Sequence, residues 1–588
     1  MKNGSGATLL QSRPTSFATR LCQAVVVVSL LAGIVLRTIA LDSVPPGLHH
    51  DEACNGYDAY SILHTGRDHH GNFLPIAIEA FGDYRPPIFD YSLVPLIAAF
   101  GLKAAVVRLG AALWGIVDLV GTIGLAGLML GWPGAAAAAL LGAISPWHLS
   151  FSRFGQEAIS GSAMVTLAML FFFGWLSWRK TAYLMLSAIF FGLSFYSYSI
   201  VKVFTPLMIG LLTILYWREL KESWSKALIA VAVIAALAAP LAVLTLRHRA
   251  EMQARYNQMS LSGFMAGCPN CLPAAESEST DTILARLENF SANWAGYFTP
   301  SYLFLTGDRG DHWALLHPPG FGQLIPEQAP LVALGLLGLL SVRRRRLVIM
   351  LLGWLAIAAI PAALTVPSGA WQPEPGLSLP TPFVFMDTSI PNVPVTPALL
   401  LAHPESRRDT LAMTPWTVLS AVGFVVLLEW VASSTALAAV MVAVLAGSTI
   451  YHGARFVRSY FYDYPVVAAP YFQYGMEQAI AETRKVAGDH VPVVITNRME
   501  MPYIYVLFFD RYPPDLFQRD KVIYQPGYGS LYASVVRFDD FSFGNSLRAW
   551  QRMTQGVFVF PGDQEPPVPP VATILYPDGR TAYNIVVK

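Results

Sequence analysis

The sequence predicts a polytopic α-helical membrane protein of about 11–13 transmembrane helices, closed by a small extracytoplasmic domain of α/β or α+β type. Three observations predict it. Of 588 residues, 54% are hydrophobic and only 13% charged, and the mean hydropathy is +0.46, which excludes a soluble globular enzyme. Apolar runs of membrane-crossing length recur from residue 21 to about 450. Beyond about 451 charges, prolines and aromatics return, and no later run is long and apolar enough to cross. Lys+Arg (39) and Asp+Glu (38) nearly cancel to +1, so no basic domain points to a nucleic-acid partner.

The first apolar run, 21–41, follows a basic leader containing Lys2, Arg13 and Arg20. It reads as a retained helix behind a cytoplasmic tail, 1–20. Further candidates are 108–131, 133–150, 158–177, 181–199, 203–217, 226–246, 328–341, 347–366, 411–430 and 433–450. The basic short loops Trp178-Arg179-Lys180, Arg218 to Lys226 and Arg343 to Arg346 belong in the cytoplasm. Counting from them places Ser145 to Glu157, Tyr196 to Lys202, the loops 247–327 and 367–410 and the domain 451–588 outside, with the outer loop 42–87. The counts agree if Ile88 to Phe100 dips into the membrane without crossing, because thirteen helical residues cannot span about 30 Å of hydrocarbon. A compact early helix pair is the competing explanation. In the last domain Val493-Val494-Ile495 and Val557 to Phe560 read as strands, Tyr474 to Val486 as a helix, and Tyr576-Pro577-Asp578-Gly579 as a hairpin turn.

Polar residues beside the predicted helices carry the chemistry. The first outer loop begins Pro45-Pro46-Gly47-Leu48-His49-His50-Asp51-Glu52, setting two adjacent carboxylates just past a membrane helix. Ala53, Tyr57, Tyr60 and Leu63 then recur at helical spacing. They predict an amphipathic helix in the interface that would hold Asp51 and Glu52 at headgroup depth. Near the loop's end, Gly82-Asp83-Tyr84-Arg85-Pro86-Pro87 places a guanidinium, a planar fork that matches phosphate oxygens, before the chain re-enters apolar surroundings. A snorkelling arginine bonded to bulk lipid, with Asp83 as its salt-bridge partner, accounts for the same pattern equally well.

In the second outer segment Arg153 and Glu157 are four apart, as are His148 and Ser152, so each pair would share a helix face. Arg153 would bind a second phosphate oxygen with Glu157 orienting it; an ordinary i,i+4 ion pair is the plainer account. Tyr196, Tyr198 and Lys202 add hydroxyls and a cation on the same side, where tyrosines also serve as an aromatic belt. An acidic pair and three cations from three loops thus converge on one membrane face, as transfer from a lipid-phosphate donor requires. No G-x-x-x-x-G-K-[ST] or G-x-S-x-G supports ATP-driven transport or serine hydrolysis. His50, Asp51 and Glu52 form a candidate ligand set for a divalent metal, although adjacent residues rarely converge on one ion and two arginines already supply positive charge. Cys268 and Cys271 read as a loop-stapling disulfide, half a zinc site being the alternative, and Cys54 as free and buried.

The stretches PPGLHHDEACNGYDAYSILHTGRD, GDYRPPIFDYSLVPLIAAFG with Arg108 following, and ISPWHLSFSR with Glu157 resemble the GT-C superfamily of polyprenyl-phosphate-sugar-dependent glycosyltransferases, which includes protein O-mannosyltransferases and lipid A aminoarabinose transferases. The resemblance covers roughly the first 200 residues. It implies an undecaprenyl-phosphate sugar donor used outside the cytoplasmic (inner) membrane, direct displacement with inversion, and an envelope glycan, lipid or protein acceptor. It implies that Asp51 is the base on the acceptor hydroxyl, that Glu52 supports it and that Arg85 contacts the donor phosphate. Arg153 and Glu157 match a second family motif, in which some branches carry an aspartate. The transmembrane domain would be 21–450, with catalytic outer loop 42–87 and acceptor-side loops 247–327 and 367–410, where His317, Glu327 and His403 are further candidates. The competing readings are a transporter or flippase for lipid-linked sugars, which would place ionisable residues deep in repeated helices, and an oligosaccharide transferase or O-antigen ligase.

Overall fold

Apolar helices dominate the computed structural model, which describes residues 16–249, 283–308, 315–365, 404–488, 491–499, 501–520, 522–526 and 533–588. Cys268, Cys271 and His403 lie outside the described residues. In chain order come α1 (Ser16–Thr38), α2 (His50–Thr65), α3 (Ile88–Phe100), α4 (Ala104–Ala143), α5 (Pro146–Phe151), α6 (Ala158–Trp178), α7 (Thr181–Ser194) and α8 (Val201–Leu215). After them come α9 (Trp224–Arg247), α10 (Ile283–Gly296), α11 (Gln328–Leu336), α12 (Arg345–Ala363), α13 (Met413–Trp430) and α14 (Thr435–Arg458). Among the described residues seven helical segments are long and apolar enough to cross a membrane, built on α1, α4, α6, α9, α12, α13 and α14. The chain is therefore a multi-pass membrane protein.

The helix count departs from expectation because several apolar runs are short or bent. The helices α3, α7 and α8 and the segment Gln328–Leu340 are apolar but shorter. The runs expected at 108–131 and 133–150 form α4, bent where Gly131 adopts φ +72° just before Trp132 and Pro133. This element stops at Ala143, short of 150. Ser145 then caps α5 by accepting from His148 N at 3.4 Å, and Pro146 occupies a first-turn position where no N–H is needed. Of the long helices, α1, α9 and α14 expose rows of apolar residues, including Val28 and Leu31, Leu228 and Ile229, and Val440 and Val444. These faces suit lipid contact. By contrast α6 and α13 are almost wholly buried and form the centre of the bundle.

Several connections meet at one end of the bundle. Ile88 N donates to Tyr196 O at 3.0 Å and Trp147 N to Gln323 O at 3.2 Å, while Trp147 Nε1 donates to Ser406 O at 3.2 Å and Tyr198 Oη to Arg407 O at 3.0 Å. At this end α2 is packed against α3 and α4, and between His50 and Ile62 every residue but Asp51 and Tyr60 is buried. The expected interfacial helix is thus an internal one. Two of its polar positions bond inside the protein: Asn55 Nδ2 donates to Gly155 O at 2.9 Å and Ser61 Oγ to Arg67 O at 2.7 Å.

The C-terminal domain carries a seven-stranded mixed sheet in the order β4 (Ile523–Pro526), β5 (Ala533–Phe538), β6 (Phe541–Gly544), β3 (Val493–Thr496), β7 (Val557–Pro561), β9 (Thr581–Val587), β8 (Ala572–Leu575), with β3 parallel to β6 and β7. Both faces of β3 are covered. Val493 and Ile495 share a core with Met476, Ala479 and Ile480, whereas Val494 packs with Phe558 under Trp550. This explains why the run reads continuously apolar. The expected turn at 576–579 joins β8 (Ala572–Leu575) to β9 (Thr581–Val587). The domain docks on α2: Tyr57 Oη donates to Tyr512 O at 2.8 Å, and Gln518 Nε2 donates to Ser61 Oγ, Thr65 Oγ1 and Asp68 O at 2.9–3.2 Å.

Candidate active site

Two buried arginines supply donors to carbonyls at the end of α1 and in the turn that leads to α2. Arg108, on α4, donates Nη1 to Leu41 O and Pro45 O and Nη2 to Gly47 O, at 2.7–3.1 Å. Its Nε and Nη2 also reach Glu52 Oε1 and Oε2 at 2.9 and 3.0 Å. Arg153 donates to Leu36 O, Ala40 O and Val44 O at 2.8–3.3 Å and lies 4.7 Å over the Phe461 ring. Gly47 has φ +66°, and a Cβ there would run into the Phe472 carbonyl.

This lashing separates the two adjacent acids. Glu52 completes a capping box by accepting from His49 N at 3.0 Å and accepts from Gly155 N at 2.9 Å. A Cβ on Gly155 would come within 2.7 Å of Val107 Cγ1, so the backbone can approach because the residue is glycine. With Arg108 added, both oxygens of Glu52 are engaged inside the protein. Asp51 retains a side chain 22% exposed, with Gln156 Nε2 at 2.9 Å, His50 Nε2 at 3.5 Å, Arg407 Nη1 at 3.6 Å and His49 Nδ1 at 3.7 Å.

The expected pairing of Arg153 with Glu157 does not occur. The chain from Ser152 to Glu157 is a turn rather than a helix, so i,i+4 geometry is lost and Arg153 is spent on backbone. Glu157 instead lies in the field of Arg85, Asp51 and Arg407, and burial raises its carboxyl above the ordinary range. Arg85 is held by Asp58 at 2.6 Å and Asp90 at 2.8 Å, both through Nη2, while its Nε is buried without a partner. Asp58 also accepts from His69 N at 3.0 Å and lies 2.7 Å from His69 Nδ1. Although burial works against ionisation there, His69 and Arg85 hold its carboxyl down at about 2.

The other expected residues divide in the same way. His148 is in a buried network with Arg37 Nη2 at 2.8 Å, Ser152 Oγ at 3.0 Å and Asp118 at 3.3 Å. Tyr196 Oη ties down to Leu237 O at 2.7 Å, and Asp83 Oδ1 accepts from Tyr84 N at 2.8 Å within the β1–β2 hairpin (Ile78–Ala80, Asp83–Arg85). Lys202, in the first turn of α8, faces Asp83. The metal set His50, Asp51 and Glu52 does not converge, since Arg108 draws Glu52 away. Side-chain atoms of His49, His50 and Asp51 do lie within 4.8 Å of one another, as do those of Cys54, Asp58 and His69. His49 Nδ1, however, accepts from Asp51 N at 3.2 Å, and burial lowers the His49 pKa well below its ordinary value, as a capping acceptor requires. Cys54 is free and buried. Of the loop candidates, His317 is buried beside Asp308 and Gln323, and Glu327 meets His452 at 2.5 Å.

Sequence reasoning missed Arg407. It sits in Glu405-Ser406-Arg407-Arg408-Asp409, directly before the apolar run of α13. Two adjacent arginines on a side that the positive-inside rule leaves poor in basic residues were the available signal.

A family model described as dolichyl-phosphate-mannose-protein mannosyltransferase matches residues 84–243. No curated protein sequence matches the chain. Among solved structures, ArnT from Cupriavidus metallidurans bound to undecaprenyl phosphate is similar at 12% identity and a TM-score of 0.51, over 97% of this chain and 98% of that one. Its apo state gives the same values. The archaeal oligosaccharyltransferase AglB from Archaeoglobus fulgidus, in complex with an inhibitory peptide and a dolichol-phosphate, reaches 0.48 at 13% identity over 84% of this chain and 64% of that one. The family model thus matches residues 84–243 of 588, and the fold of this chain is similar to that of ArnT over nearly its whole length.

Proposed function

We propose that the enzyme transfers a single sugar from a polyprenyl phosphate to an acceptor hydroxyl on the extracytoplasmic face of the cytoplasmic membrane, with inversion and with Asp51 as general base. The observation that carries this reading is the split between the acids. Glu52 is locked to Arg108, whereas Asp51 keeps a side chain 22% exposed with a guanidinium 3.6 Å away. The sugar–phosphate bond breaks with its electrons passing to the phosphate oxygen, while Asp51 takes the proton of the attacking hydroxyl. Arg407 meets the departing phosphate, and Arg85, its charge already shared with Asp58 and Asp90, offers the Nε that has no partner among the described residues. ArnT, whose fold this chain shares, binds undecaprenyl phosphate, which supports a carrier lipid of that class.

The test is an assay of the purified full chain with single-sugar polyprenyl-monophosphate donors and oligosaccharide diphosphate donors. Turnover is expected with the first group only. Asp51→Asn, which keeps shape but loses basicity, is expected to lower kcat by about 10²–10⁴ while carrier-lipid binding survives. Near-normal turnover by this variant would remove Asp51 from the role.

A further inference from the structure

Asp308 takes no part in the chemistry above, yet it is tied to the segment that presents Arg407. Its Oδ1 accepts from Ser406 N at 2.9 Å and from Gln323 Nε2 at 3.1 Å, and its Oδ2 accepts from Ser406 Oγ at 2.5 Å. One carboxylate therefore grips both the backbone and the side chain of the residue preceding Arg407. Two bonds to one residue fix its orientation as well as its position. On the far side of Ser406, Glu405 Oε1 holds Arg407 through Nε at 2.9 Å and Nη2 at 2.8 Å, and Glu405 Oε2 holds Arg408 Nε at 2.7 Å. Arg407 Nη1 is the atom then aimed at Asp51.

We infer that Asp308 is a positioning residue for the donor phosphate, holding Arg407 beside Asp51 through Ser406. The inference rests on the proposal that Arg407 meets that phosphate. The groups around Asp308 fit the role. His317 Nδ1 is 2.9 Å from Pro318 O, so its proton lies there and Nε2 is left to accept from Asp308 N at 3.3 Å. Among the described residues the charges that act on Asp308 include Glu405 and Arg407, and Tyr302 lies close by. Ionised Asp308 presents acceptors to all three donors that face it. An amide in its place loses the charge and turns one oxygen into a donor, so the Ser406 hydroxyl must accept where it now donates and the charge-assisted bond is lost.

The experiment measures the affinity of the full chain in detergent for undecaprenyl phosphate, with undecaprenol as the uncharged control, in Asp308→Asn, Arg407→Gln and the double variant. Asp308→Asn is expected to weaken undecaprenyl phosphate about tenfold and leave undecaprenol unchanged, the loss of roughly one charge-assisted contact. The double variant should bind no more weakly than Arg407→Gln alone, because Asp308 acts through Arg407. Additive losses, or wild-type affinity in Asp308→Asn beside a weakened Arg407→Gln, would overturn the inference and leave the phosphate role of Arg407 standing. Wild-type affinity in Arg407→Gln would overturn that role and the inference with it. If Asp308→Asn does not fold, Ser406→Ala removes only the hydroxyl bond and is expected to weaken binding about threefold, again without further effect in the Arg407→Gln background; unchanged affinity there would equally refute the inference.

Discussion

Arg108 grips Glu52 with two nearly parallel hydrogen bonds, Nε to Oε1 at 2.9 Å and Nη2 to Oε2 at 3.0 Å, and this fork holds one of two adjacent carboxylates inside the protein while the other keeps a partly exposed side chain. Both partners are fully buried. Removing one leaves the other charge without compensation, which costs about 3–5 kcal/mol. Glu52→Gln is therefore expected to lower the thermal unfolding temperature of the detergent-solubilised protein markedly, while Asp51→Asn leaves it near the wild type. A Glu52→Gln variant of native stability and no turnover would instead give Glu52 a part in the chemistry.

Arg153 and Arg85 are expected to separate in the same assay. Arg153→Gln removes donors from the carbonyls of Leu36, Ala40 and Val44 and should reduce stability with little change in affinity for undecaprenyl phosphate. Arg85→Gln should weaken the carrier lipid, and it also leaves Asp58 and Asp90 buried without their shared cation. Loss of affinity in folded Arg153→Gln would restore the phosphate role that its residue type suggests.

Stability should fall with rising pH because of Asp308. Burial raises its carboxyl from the ordinary 3.8 to about 7, against the lowering effect of the Ser406 bonds. Between those values the folded state binds more protons than the unfolded state, so the unfolding free energy decreases as pH rises through that window. Thermal unfolding followed from pH 5 to 8, a range taken from the titration window, should show a decline that Asp308→Asn flattens. Asp58 acts with the opposite sign. Its carboxyl, held at about 2 by His69 and Arg85, contributes stability above about 4 that is lost as pH falls through about 2.

Sidedness has its own test. A reporter fused after residue 470 is expected to be active only outside the cytoplasm, and one fused at Lys180 only inside. Cytoplasmic activity at 470 would reverse the topology and put Asp51 on the wrong side for an extracytoplasmic donor.

Much of the architecture was legible because partition into hydrocarbon is local. Leu228, Ile229 and Val440 face outward for the reason that made their segments readable, since each residue contributes its own transfer free energy whatever lies elsewhere in the chain. The strands Val493–Thr496 and Val557–Pro561 follow from short β-branched and aromatic runs in the same way. Boundaries failed where a single residue overrode the apolar pattern, as at Gly131 and at Ser145-Pro146.

The sequence by itself therefore determined that this chain crosses the membrane many times and that an acidic pair, Asp51 and Glu52, follows the first crossing. Only the tertiary structure decided that Glu52 belongs to Arg108, that Arg153 belongs to the backbone of residues 36–44, and that Arg407 faces Asp51. The physical reason is reach. A long charged side chain takes the partner that folding brings within about 3 Å, and for these residues that partner comes from segments far away in the chain, where no local spacing can announce it.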